Sequence, residues 1–162
     1  MAKVMRNMLQ EFYGIPGEAA TTYHYLNTGF TQLDENGGAQ LDDTAYIGDK
    51  CSSPSVVGYE NNWSFNTQYL SNNDVIKDIR DIARLQKTGS DCERELISVD
   101  LNDPVTGSEG AYKARKFNIS VEAAPPKGGP KSVTTMEGTF HQMGDLVEGT
   151  FVISSKTFTE TA

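Results

Sequence analysis

A chain of 162 residues is long enough for one domain with a single substantial core. Its 22 Asp and Glu against 14 Lys and Arg leave a net charge of −8, a sign that repels phosphate and argues against stable nucleic-acid binding. Hydrophobic residues make up only 37%, yet seven Phe, seven Tyr and one Trp supply bulky core material, so the composition is that of a folded domain.

Lys3 and Arg6 are followed by no apolar segment of signal-peptide type. No stretch approaches the roughly 18 apolar residues needed to span a bilayer, and the expectation is a soluble protein made in the cytoplasm. Cys51 and Cys92 form no C-x-x-C and are expected as free thiols in that compartment. The sequons Asn62-Trp63-Ser64 and Asn118-Ile119-Ser120 carry no meaning without a secretory route.

Residues 1–22 mix apolar clusters with Gly14, Pro16 and Gly17, a punctuation that suits neither a core helix nor a core strand. They are expected as an arm. Its Met5, Met8, Leu9, Phe12 and Tyr13 need a surface to lie on, since burying each such side chain is worth roughly 1.5–3 kcal/mol. Residues 23–158 are expected as the folded domain and 159–162 as a tail. Tyr23–Leu26 and Phe30–Leu33 have strand character, and Asn36-Gly37 is a hairpin turn pair. A long excursion, 34–58, contains a short strand candidate, Thr44–Ile47, and then a polar loop around Gly48–Ser55.

Tyr59–Leu70 alternates Trp63, Phe65, Thr67 and Tyr69 with Asn62, Ser64, Asn66 and Gln68, the period of a strand with one buried face. A helix follows over 74–88. Asn72-Asn73 caps it, Asp74 favours its first turn, and Val75, Ile79 and Ile82 form its apolar stripe. Gly89 is expected to stop it. Glu93–Leu101 and Tyr112–Ala123 are strands with Val99, Phe117 and Ile119 facing inward, separated by a turn at Gly107–Gly110. Beyond a Pro- and Gly-rich loop, Ser132–Gln142 and Val147–Phe158 form a closing pair joined near Met143-Gly144-Asp145, with Phe140 and Phe151 in the core. Many short strands and one helix predict a mainly β domain, a β-sandwich or half-open barrel with a helix packed beside it.

Chemistry is sparse. His24 and His141 are the only histidines, and neither cysteine has a partner at zinc-ligand spacing. Asp42-Asp43, Asp49 and Glu35 fall in turn-like segments and form no EF-hand pattern. There is no G-x-S-x-G elbow, and Gly37-Gly38 and Gly128-Gly129 lack the context of a phosphate loop. No cofactor and no catalytic residue is expected. The aromatic strand around Trp63 could serve as a carbohydrate platform, though core packing is the simpler role. What remains is a set of strand edges and an apolar arm, which are a liability for a monomer and a tool for an assembler.

Leu33-Asp34-Glu35-Asn36, Tyr46-Ile47-Gly48-Asp49-Lys50, Val57-Gly58-Tyr59-Glu60, Thr88-Gly89-Ser90-Asp91-Cys92-Glu93, Val99–Pro104, Lys113–Phe117 and Gly149-Thr150-Phe151 follow one another in characteristic order and spacing. In that order the chain resembles the major tail tube proteins of long, non-contractile-tailed bacteriophages of Gram-positive bacteria. Cys51 and Cys92 depart from the family's pattern, where polar or small residues are more usual. The resemblance implies six-membered rings stacked into a tube and a β-barrel lining its channel. Arms and a long loop would reach the neighbouring ring, through Met5, Leu9, Phe12, Tyr13, Asp42, Asp43, Tyr46, Lys50, Ser53 and Tyr59. It also implies a tape-measure protein inside the tube, terminator and distal or baseplate proteins at its ends, and passage of double-stranded DNA. Alternatives are a ring of a contractile particle's inner tube or terminator, and a monomeric carbohydrate-binding module.

Overall fold

Alternating residues become strands along most of the chain. The computed structural model describes residues 2–161. In chain order its elements are β1 (Leu9–Ile15), β2 (Thr22–Tyr25), β3 (Phe30–Asn36), β4 (Ala39–Thr44), β5 (Ser53–Tyr59), β6 (Asn62–Gln68), α1 (Asp74–Arg84), β7 (Glu93–Pro104), β8 (Ala111–Ala123), β9 (Thr135–Val152) and β10 (Thr157–Glu160). Seven strands run in the antiparallel order β2-β1-β7-β8-β9-β6-β3, β10 pairs with β9 beside that path, and β4 with β5 forms a separate two-stranded ribbon. Although β2 and β3 end the sheet on opposite sides, residues 26–29 alone join them, so the sheet must curl into a half-barrel.

Both faces of this sheet carry apolar clusters. On one face Trp63, Phe65, Leu96, Phe117, Ile119 and Phe140 pack with Tyr13 under the helix residues Val75, Ile76, Ile79 and Ile82. On the other face Phe12, Ile97, Val99, Ala114 and Phe151 pack together, with Tyr23, Tyr25 and Phe158 at the margin. Adjacent residues such as Phe12 and Tyr13, or Leu96 and Ile97, point to opposite clusters, as strand alternation requires. Tyr69 is half-buried, and its hydroxyl accepts from Arg80 at 2.7 Å.

The arm expected over 1–22 is corrected by this arrangement. Leu9–Ile15 lies between β2 and β7, and Phe12 and Tyr13 are 2% and 0% exposed. A strand covered on both faces shows no alternation, so its run of apolar residues lacks the usual strand signature. The expected closing pair is likewise one continuous strand. Asn118 pairs with Met143 and Lys116 with Val147, so residues 144–146 bulge out, with Gly144 adopting φ +70°. The chain reverses only after Val152, and the expected tail residues Thr159 and Glu160 pair with Thr150 and Gly149.

Asn73 caps α1 by accepting from the Val75 and Ile76 amides at 3.0 and 3.2 Å. The helix ends at Arg84, short of the expected 88, where another turn would add Leu85, which lies exposed, and the polar Gln86, Lys87 and Thr88. Gln86 rather than Gly89 takes the left-handed stop, at φ +50°. The Lys87 amide then donates to the Ile82 carbonyl at 3.1 Å and that of Gln86 to Ala83 at 3.4 Å. The helix is fastened to the sheet by Asp78, which accepts from the Tyr13 hydroxyl at 2.7 Å and from Arg94 at 2.9 and 3.1 Å. Burial, and then the Asp78 carboxylate, push the Tyr13 phenol well above its ordinary pKa and keep it a donor.

Candidate assembly surfaces

The excursion over 34–58 is a hairpin carried outward from the domain. β3 pairs with β6, and after a break at Gly37-Gly38 and Glu60-Asn61 the same two segments continue as β4 and β5. Gly38 pins the break. Its φ is +60°, its carbonyl accepts from the Glu60 amide at 2.9 Å, and a Cβ there would strike the Glu60 carbonyl. The register of the ribbon gives it two unlike faces. Ala39 lies opposite Tyr59, Leu41 opposite Val56, and Asp43 opposite Pro54, while Gln40, Asp42 and Thr44 face Gly58, Ser55 and Ser53. The apolar side has no cover: Leu41 is 64% exposed and Tyr59 70%. At the tip Tyr46 is 75% exposed and Ile47 fully so, held by a turn in which the Asp49 carboxylate accepts from the Tyr46 amide at 2.9 Å.

The second surface is the N-terminal end of the described chain. Val4 and Met5 are exposed, and Leu9 is partly so. Arg6 anchors this segment by donating to the Glu11 carboxylate and the Leu33 carbonyl, both at 3.0 Å. These bonds bridge β1 to β3 across the open side of the half-barrel. Arg115 does the same from β8, with a bidentate pair to Glu35 at 3.0 and 2.9 Å. Arg6, Glu11, Glu35, Ser98, Arg115 and Glu148 line an open cleft of about 1010 Å³ along this seam. Burial raises the Glu11 pKa, opposed by the Arg6 charge.

Of the residues expected at ring contacts, Asp42, Asp43, Tyr46, Lys50, Ser53 and Tyr59 all lie exposed on the ribbon, and Met5 and Leu9 lie at the N-terminal end. Phe12 and Tyr13 do not belong with them, being inside the two clusters. Sequence reasoning missed Leu41, Val56 and Val57, which share the uncovered ribbon with Tyr59. Their signal was present as apolar residues scattered through a polar stretch. Cys51 is exposed beside the tip, whereas Cys92 is buried with its Sγ 3.1 Å from the Gly89 carbonyl. Among the described residues no group of three His, Cys, Asp or Glu is placed to hold a metal ion.

No family model and no curated protein matches this sequence. Solved structures do match in fold. A chain of the SPP1 tail tube, from a hybrid solid-state NMR and cryo-EM structure, gives a TM-score of 0.64 at 12% identity over 90% of this chain and 78% of that one. A chain from the tail of an empty gene transfer agent particle, determined with helical C6 symmetry, gives 0.63 at 9% identity over 89% and 97%. A chain of the anti-feeding prophage baseplate gives 0.53 at 5% identity over 91% and 96%. At these identities the likeness establishes the fold: a mostly β chain with one helix on a curled half-barrel sheet, as in the SPP1 tail tube.

Proposed function

We propose that this chain is a virion structural protein, the tail tube subunit of a long, non-contractile-tailed phage of a Gram-positive bacterium, and not an enzyme. Six copies form a ring and rings stack into a tube, assembled in the host cytoplasm and carried in the virion. The tube encloses a tape-measure protein, meets terminator and distal or baseplate proteins at its ends, and passes double-stranded DNA without gripping it. The observation that carries this reading is the uncovered ribbon, an amphipathic hairpin projecting from a tail-tube fold. Each apolar side chain left in water there forgoes roughly 1.5–3 kcal/mol that a neighbouring copy would recover. Met5, Leu9, Asp42, Asp43, Tyr46, Lys50, Ser53 and Tyr59 are the proposed contacts between rings. The polar part of the sheet face opposite the helix is the proposed channel wall.

Negative-stain microscopy and light scattering of the purified protein test this. The expected result is six-fold rings that lengthen into tubes with concentration, through contacts above the roughly 1,000 Å² of a stable interface. A monomer persisting at high concentration would refute it. A second reading, a ring at the end of a tube or in the inner tube of a contractile particle, is favoured by the likeness to the baseplate chain. A terminal ring predicts rings that form but do not lengthen.

A further inference from the structure

The outward side of α1 is divided by charge. At 100° per residue Lys77, Arg80 and Arg84 fall within an arc of about 60°, bordered on the Lys77 side by Asp81 about 40° away and Asp74 about 60° away. Lys87 follows in the turn that ends the helix. Arg80 is engaged by Tyr69 and Asp81. Among the described residues Lys77, Arg84 and Lys87 have no acidic partner, although the chain carries an excess of eight acids. Leu85, large and exposed, sits at the same end of the helix. The bland account of these cations is solvation, helped for Arg84 and Lys87 by the negative end of the helix dipole. The dipole gives no such help to Lys77, which is in the first half of the helix with Asp74 and Asp81 one turn away on either side.

The far half of the ribbon is the complement of this flank. Among the described residues Asp42 and Asp43 are exposed without a cationic partner, Asp49 and Lys50 lie at the tip, and Tyr46 and Ile47 stand out beside them. An acidic, apolar tip and a basic helix flank with an exposed leucine are matched in both charge and hydropathy, and on one chain both are uncovered. We infer that the ribbon tip of one copy docks on the Lys77–Lys87 flank of α1 in a second copy. The inference rests on the tube reading and supplies the surface on which the ribbon lands.

A charge swap tests it. Lys77→Glu with Arg84→Glu, or Asp42→Lys with Asp43→Lys, should each raise the concentration needed for tube elongation about tenfold or more at 0.1 M salt. Combining all four substitutions in one chain should bring it back to within about threefold of the unaltered protein, because the pairs are restored with reversed sign. All four positions lie outside the core, so circular dichroism and melting should be unchanged; the milder Lys77→Gln with Arg84→Gln serves if the reversed chain misfolds. Reversed chains that elongate like the unaltered protein would overturn the inference, as would a combined chain that stays unassembled. An unaltered protein that never forms stacks would instead overturn the tube reading, and the docking with it.

Discussion

Replacing Asp78 by Ala should loosen the helix from the sheet about as much as truncating a residue of its apolar stripe. The carboxylate receives three hydrogen bonds, one from β1 through Tyr13 and two from β7 through Arg94. The Arg94 and Asp78 side chains are 8% and 15% exposed, so the substitution leaves a mostly buried guanidinium without its counter-charge and a buried phenol without an acceptor. Breaking a buried pair from one side costs about 3–5 kcal/mol, and Arg94 retains the carbonyls of Asp91 and Glu93 as acceptors. The expected loss is therefore at the low end, about 3 kcal/mol, or a fall in melting temperature of roughly 6–12 °C. Asp78→Asn keeps an acceptor and should cost about 1 kcal/mol. Urea unfolding of dilute protein can be followed through Trp63, the sole tryptophan, which is buried in the same cluster. A loss below about 0.5 kcal/mol for the Ala variant, with an unchanged denaturant slope, would refute this account of helix docking.

Ile79→Ala should cost about 2–5 kcal/mol in the same assay, since the side chain is fully buried between helix and sheet. Removing residues 2–5 should leave a folded domain by circular dichroism, whereas removing 2–12 deletes more than half of β1 and should prevent folding. Glu11 has a folded-state pKa above its usual 4.5, so its contribution to stability is present below that pH and is lost as pH rises through the folded value. Melts from pH 4 to 7 should accordingly show Glu11→Gln gaining on the unaltered protein as pH rises. Ser64→Lys, Asn66→Lys and Ser120→Lys together should make assembled tubes retain duplex DNA at low salt in a sedimentation assay, where unaltered tubes release it.

The elements most legible in the sequence are those buried on one face only. β6 shows Trp63, Phe65 and Thr67 between Asn62, Ser64 and Asn66, and α1 shows its stripe at helical spacing, because one-sided burial imposes a period. β1 hid itself because both of its faces are covered. The bulge at Gly144 looked like a hairpin turn, since a left-handed glycine serves either purpose and pairing with β8 decides which. The assembly surface was half visible. Tyr46 and Tyr59 were conspicuous, but the apolar face exists only once Leu41 is set opposite Val56, a register set by the bulge that skips Val57. The seam was invisible for the same reason: Arg6 and Leu33, or Arg115 and Glu35, meet only when the sheet curls.

The distribution of charge follows a division of labour that the net value conceals. On the sheet face opposite the helix, register aligns Asn62, Ser64 and Asn66 with His141, Thr139 and Glu137 of β9, and β8 adds Asn118, Ser120 and Glu122. Asp34 flanks this strip from β3, and Glu93 and Glu95 flank it from β7. The charged groups there are nearly all acidic. The cations that reach this face are paired: Lys116 with Glu95 at 3.4 Å, and Lys127, from the loop after β8, with Glu137 at 2.6 Å. On the proposed channel wall, amides and hydroxyls would exchange hydrogen bonds with a duplex as water does, and cations already paired with carboxylates would add little grip. Screening confines the field of the flanking acids to about 10 Å at 0.1 M salt, a distance that would matter in the proposed channel and hardly at all on an open outer wall. The arginines and lysines lie elsewhere: Arg6 and Arg115 close the seam, Arg94 ties the helix down, and Lys77 and Arg84 stand exposed on α1, the surface proposed to receive the ribbon. A protein that only needed solubility could have scattered its acids anywhere. Here the face without grip and the faces with it lie on opposite sides of one sheet.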